Sequence, residues 1–199
     1  RLKMCYVHWI KVKELISAGI WNSISRLSQV LSDGLDLVIT NIWISAYLMG
    51  ELSIAQQIPT YISTLTNTLI NLFSPNLTMY YAKDDTEAVV KELKLSMKFS
   101  SFFVNIIFCV LVVFGKYFVQ LWVPNQDVNL IYSLLVVIMM SLMVSGVTTS
   151  LNNVFLITNR LKVNSIFWLI ISFTNVLLVF IYLNTTSLGI YAVAGVSKV

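Results

Sequence analysis

Long apolar runs, following one another with only brief interruptions, constrain this chain more than any other feature. They cover about residues 15–44, 53–81, 92–114, 129–157 and 163–183, and a sixth begins near Ser187. A helix needs about 20 predominantly apolar residues to cross the hydrocarbon core of a bilayer. Charged residues make up only 11% of the chain and hydrophobic ones 57%, whereas a soluble domain carries about 25% charged residues. That balance excludes a soluble all-α protein. A membrane β-barrel would show alternating segments of about ten residues, and none is found. The expected fold class is therefore all-α, a polytopic membrane protein. It has a basic arm at 1–14 and a six-helix transmembrane bundle at 15–199. The sequence starts at Arg1 and stops at Val199 inside an apolar run. It reads as an internal or C-terminal piece of a larger protein.

The cations fix an expected orientation. Arg1, Lys3, Lys11 and Lys13 precede the first span, Lys83, Lys91, Lys94 and Lys98 link the second to the third, and Arg160 and Lys162 link the fourth to the fifth. The alternate turns, at 45–52, 115–128 and 184–187, hold only Lys116. Cytoplasmic loops carry the excess of Lys and Arg, so the arm is expected in the cytoplasm and those three turns outside. The net charge of +4 thus reports orientation, and no nucleic-acid partner is expected. Trp21, Tyr80, Tyr81 and Trp168 fall near one boundary and Trp43, Tyr47, Tyr117, Trp122, Tyr132 and Tyr182 near the other, levels that amphipathic rings favour. Asp84-Asp85-Thr86-Glu87 reads as a helix start, with either aspartate able to cap it.

Polar residues interrupt the apolar runs at helical spacing. The first run carries Asn22, Arg26, Gln29, Asp33 and Asp36 on one face, and the second carries Gln56, Thr60, Ser63, Asn67, Asn71 and Ser74. Ser141, Ser145, Thr148 and Asn152 follow on the fourth, and Ser165, Ser172 and Asn175 on the fifth. Serine and threonine in membrane helices usually serve packing. Amides and charges are different, because their desolvation must be offset by partners or water. An Arg or Asp near the centre of a membrane helix costs about 2.5 to 3.5 kcal/mol on insertion scales. Arg26, Asn22, Gln29, Asp33, Asp36, Asn67, Asn71, Asn152 and Asn175 are therefore expected to line a shared hydrated cavity. Arg26 falls near the midplane and suits an anionic group, since its planar fork donates two parallel hydrogen bonds. An aspartate would tune it or bind a coupling cation. The alternative is structural, each charge being paired to a neighbouring helix. Lys198 is a further cation at the end of the chain, and Gly34, Gly146 and Pro75 mark positions for kinks.

Cys5 and Cys109 give neither metal spacing nor a disulfide framework, and the single histidine, His8, lies in the arm. There is no phosphate-cradling glycine loop and no nucleophile constellation. An enzyme is not expected, nor a cofactor beyond a coupling H+ or Na+.

Four stretches carry a resemblance. They are LISAGIWNSISRLSQVLSDGLDLVITN (15–41), MGELSIAQQIPTYISTLTNTLINLFSPNLTMYYAKDD (49–85), FGKYFVQLWVP (114–124) and LGIYAVAGVS (188–197). In order and spacing the chain resembles the polysaccharide-transport branch of the multidrug/oligosaccharidyl-lipid/polysaccharide (MOP) exporter superfamily. The first stretch looks like the helix that opens the second half of such flippases, with Asp36 as its acidic residue; Asp33 has no counterpart in that pattern. The resemblance implies one lobe of a two-lobe, MATE-like flippase fold, helices seven to twelve, with the N-terminal lobe as its partner. It further implies flipping of an undecaprenyl-diphosphate-linked oligosaccharide across the bacterial cytoplasmic membrane. Such export feeds capsule, exopolysaccharide or O-antigen assembly beside a polysaccharide polymerase. A cation-coupled multidrug exporter and a non-transporting membrane scaffold stand as alternatives.

Overall fold

Local signals in the sequence set several of the helix ends. In this computed structural model the described residues are 9–158, 161–185 and 189–196. Arg1, Lys3, Cys5 and His8 of the arm, Arg160, Ser187 and Lys198 lie outside them. Helix α1 runs from Trp9 to Trp43 and α2 from Ala46 to Asn71. Between them Ser45 is extended, and its Oγ accepts from the Leu48 N–H at 3.1 Å. That cap satisfies a donor the first turn of α2 would otherwise leave open. Pro59 lies inside α2. Helix α3, Ser74–Ala82, follows after a break. At the break Leu72 and Phe73 donate to Leu69 and Ile70, three residues back, a tightened last turn. Pro75 has no N–H with which to continue the ladder to Asn71, and proline is well placed in the first turn of α3.

The acidic tetrad divides its work. Asp84 turns the chain with φ 55, a left-handed conformation that aspartate tolerates better than most residues. Asp85 then caps α4, Thr86–Trp122, accepting from the Ala88 N–H at 2.9 Å. At the other end Asp127 caps α5, Val128–Ile157, through the Asn129 and Leu130 N–H groups, both at 3.1 Å. Helices α6, Leu161–Thr185, and α7, Ile190–Val196, complete the order. No strand occurs among the described residues. Helices α4, α5 and α6 are each long and apolar enough to cross a membrane by length and composition. Helices α1 and α2 have the length, at 35 and 26 residues, and carry more polar side chains.

Helix α5 is the hub, packing on α2, α4, α6 and α7. The apolar core gathers around its first half. Ile131, Leu134, Leu135, Ile138 and Met139 meet Leu52, Ala55 and Ile62 of α2, Val119 of α4, Val179 of α6 and Val193 of α7. Further along, α4 and α5 meet through a narrow stripe of small residues. Ser96 and Ser150 hydroxyls lie 3.2 Å apart, and Ser100 donates to the Gly146 carbonyl at 3.1 Å. A Cβ on Gly146 would fall 3.2 Å from Val104 Cγ2, and one on Gly115 would fall 3.1 Å from the Tyr132 ring. Small residues let helices approach this closely in membranes. Outward-facing apolar side chains such as Phe167, Ile170 and Phe173 of α6 are exposed. So broad an apolar surface suits hydrocarbon rather than water. The chain is a polytopic all-α membrane protein.

Candidate functional site

Two polar faces run along α1, and packing separates them. The first meets α6. Ser25 and Ser165 hydroxyls lie 2.7 Å apart, Ser165 donates to the Trp21 carbonyl at 2.7 Å, and Ser172 donates to the Ser28 carbonyl at 3.4 Å. Lys162 Nζ sits 5.5 Å from the centroid of the Trp21 ring, and Trp43 meets Phe180 edge-on at 4.9 Å. These contacts hold α6 to α1 from one end to the other, and they bury Ser25 and Ser28.

The second face, flanking that seam, carries Asn22, Arg26 and Gln29. Asn22 and Arg26 are exposed and Gln29 is half-buried. Arg26 Nη1 donates to Gln29 Oε1 at 3.5 Å, a long bond to a neutral amide. Arg26 is the midpoint of α1, 17 residues from Trp9 and 17 from Trp43, so about 25 Å from either end at the helical rise. The Asp33 side chain lies outside the described residues. Asp36, about two turns before the end of the helix, is buried at 4% exposure, and Thr40 Oγ1 donates to its backbone carbonyl at 2.7 Å.

The hydroxyls and amides of the other stripes behave differently. Thr60, Thr64 and Thr68 of α2 donate to the carbonyls of Gln56, Thr60 and Thr64. Ser141, Ser145 and Thr148 of α5 donate to Ile138, Leu142 and Ser145. Such hydroxyls are satisfied within their own helix and need no cavity. The amides Asn67 and Asn71 are exposed on α2, while Asn152 of α5 and Asn175 of α6 are half-buried. Helix α1 packs on α2, α6 and α7, whereas among the described residues α1 and α5 do not meet. Asn67 and Asn71 on α2 and Asn175 on α6 are thus on helices that each pack on α1, which carries Arg26, and Asn152 is one helix removed.

Glu51 and Asn153 escaped the sequence reading, whereas Gln56 stood there on the polar face of the second run. Glu51, placed there in an outward turn, is 1% exposed. Its Oε1 accepts from the Asp127 N–H at 3.4 Å, and its Oε2 is buried with no hydrogen-bond partner. The Glu51 carboxylate, as hydrogen-bond acceptor for the Tyr47 hydroxyl, holds that phenol above its usual 10.0; burial and the Asp127 charge add to the effect. Gln56 Nε2 and Asn153 Nδ2 are likewise buried without a partner. The signal for Glu51 was its spacing. With Ala55, Pro59, Ile62, Thr66 and Ile70 it falls on the buried face of α2. Among the described residues no group of three or more His, Cys, Asp or Glu is arranged to hold a metal ion.

Fold and relatives agree. The chain superposes on the solved structure of a MATE protein in complex with MaL6 with a TM-score of 0.72, covering 96% of this chain and 44% of that one at 15% identity. It thus has a MATE-like transmembrane fold. In sequence it is similar to the uncharacterized membrane protein EpsK of Bacillus subtilis (strain 168), 25% identical over 181 residues. That alignment covers 91% of this chain and 36% of EpsK. The chain therefore spans less than half the length of either protein. No protein-family model matches it.

Proposed function

We propose that this chain is one lobe of an alternating-access membrane transporter, not an enzyme, that flips an undecaprenyl-diphosphate-linked oligosaccharide across the bacterial cytoplasmic membrane. A second lobe of the same protein forms the facing wall, and the basic end faces the cytoplasm. The observation that carries the reading is Arg26. A cation at the midpoint of a long helix, exposed and tied to a neutral amide, is costly in a membrane unless it faces a polar cavity. The MATE-like fold supports a bundle that rocks against its partner around such a cavity. A diphosphate fits an arginine because each phosphate can take the guanidinium fork in two parallel bonds. Asn22 and Gln29 of the same helix, with Asn67 and Asn71 of the adjoining α2, supply neutral donors for sugar hydroxyls in this reading. The flipped product passes to a polysaccharide polymerase.

A second reading rests on Asp36. A buried carboxylate on the same helix, in a MATE-like fold, also suits a multidrug exporter coupled to H+ or Na+. The two readings separate by mutation of the full-length protein. Arg26→Ala should abolish surface polysaccharide export at normal membrane abundance. Normal export from that variant would overturn the flippase reading. Asp36→Asn should remove cation-dependent drug efflux only if the second reading holds.

A further inference from the structure

A groove of about 440 Å³ opens on the side of α4, lined by Met97, Lys98, Ser101, Phe102 and Asn105 with Val147 of α5. It lies far from Arg26 in the fold, since among the described residues α4 does not meet α1. Its depth in the membrane can be read from α4 itself. Residues 99–115 carry no charge and are bounded by Lys98 and Lys116. Eighteen residues of helix are about 27 Å long, close to the thickness of a hydrocarbon core at about 30 Å. Lys98 therefore sits at headgroup level, with Ser101 and Asn105 one and two turns further in.

The groove continues a basic stripe. Lys91, Lys94, Lys98, Ser101 and Asn105 recur at spacings of three and four and share one face. All three lysines are exposed. Glu87, four residues before Lys91, offsets the first of them. Glu92 is engaged elsewhere, accepting from Asn76 of α3 at 2.9 Å. Lys98 is the charged side chain among those lining the groove, with Lys94 one turn before it on the same face. Inside the groove, Asn105 Nδ2 donates to the Ser101 carbonyl at 2.7 Å and to Ser101 Oγ at 3.2 Å. Ser101 Oγ is then the acceptor, and its own O–H proton is left to donate to another group. Phe102 and Val147 make the apolar walls of the groove.

We propose that this groove binds an anionic membrane phospholipid from the leaflet that faces the basic end. Lys98 and the Ser101 hydroxyl hold its phosphate, and one acyl chain lies along Phe102 and Val147. The occupant is a lipid rather than a soluble anion because the groove opens on the side of a membrane-spanning helix, with Lys98 at headgroup level and the exposed Phe102 ring within the hydrocarbon depth. The site rests only on the membrane-spanning fold and stands whichever substrate the Arg26 face takes.

Native mass spectrometry of the intact protein, released from micelles containing phosphatidylglycerol, tests this. Lys98→Gln should lower the bound phosphatidylglycerol about fivefold, the effect of one lysine beside an anionic lipid surface. Val147→Trp, which fills the groove, should remove the bound lipid. Lys116→Gln, at the opposite membrane boundary, should leave it unchanged. Phosphatidylcholine should bind more weakly than phosphatidylglycerol, and millimolar inorganic phosphate should not displace the lipid. The proposal is overturned if Lys98→Gln retains wild-type binding, if Lys116→Gln loses as much, if phosphatidylcholine binds equally well, or if inorganic phosphate empties the site. Lys98 is exposed, so its variant reports binding even if the tryptophan variant fails to fold.

Discussion

Gly146→Leu should pry α4 from α5, and the size of the effect can be worked from the contact. A Cβ at Gly146 would meet Val104 Cγ2 at 3.2 Å and Val104 Cβ at 3.8 Å. Valine is stiff at χ1, so Val104 cannot swing aside. Gly146→Ala adds a single methyl, and the tight contact is offset by the roughly 0.5–1 kcal/mol that alanine gains over glycine inside a helix. That variant should be close to neutral. Leucine adds three further carbons with no space for them. Overpacking of this kind costs about 1–3 kcal/mol. Separation of the helices also stretches the Ser100 bond to the Gly146 carbonyl and the Ser96–Ser150 contact, at about 0.6 kcal/mol for an interhelical bond in a membrane protein. The sum is about 2–4 kcal/mol for leucine against about zero for alanine. Reversible unfolding in mixed micelles measures it. Equal stability of the leucine variant and the wild type would refute the close approach of α4 and α5.

Other features give sharper local tests. Cysteines at Ser25 and Ser165, whose hydroxyls lie 2.7 Å apart, should form a disulfide on mild oxidation, read as a gel shift; its absence would contradict the α1–α6 seam. Asp85→Ala should destabilise the start of α4 by about 0.5–2 kcal/mol, the usual cost of a lost N-cap, read as faster amide exchange at Ala88. Glu51→Gln should bring the Tyr47 phenol down toward 10.0, because the carboxylate that raises it is gone. A raised phenol contributes stability below its unfolded value, and that contribution is lost as pH rises through the folded one. The wild type should therefore lose stability above about pH 10 more steeply than Glu51→Gln, measured by ultraviolet titration and unfolding. Identical curves would remove Glu51 as the cause.

The helices were legible because a membrane asks so little of a span beyond apolar length. The Pro75 break and the acidic start of α4 were legible because each rests on chemistry confined to a few residues. Asp84 and Asp85 were equivalent on paper, and only the structure assigns one to the turn and the other to the cap. Glu51 was misplaced for a physical reason. Taken as part of an outward turn, it had no face; once Ser45 starts the helix at Ala46, Glu51 falls on the buried stripe of α2. On α1, serines and amides alternate around the same half of the helix. Packing against α6 alone decides that Ser25 and Ser28 are buried while Asn22 and Arg26 stay open. Periodicity marks a polar face, but it cannot say which part of that face a neighbouring helix will cover.

The central claim, that Arg26 grips the anionic end of a lipid-linked substrate, is tested most directly by binding of an undecaprenyl-diphosphate sugar to the purified full-length protein. Arg26→Ala should weaken binding about 10- to 100-fold, the range of a charge-assisted hydrogen bond of about 1.5–3 kcal/mol. Arg26→Lys, which keeps the charge but loses the fork, should fall between that variant and the wild type. Equal affinity in all three proteins would contradict the claim.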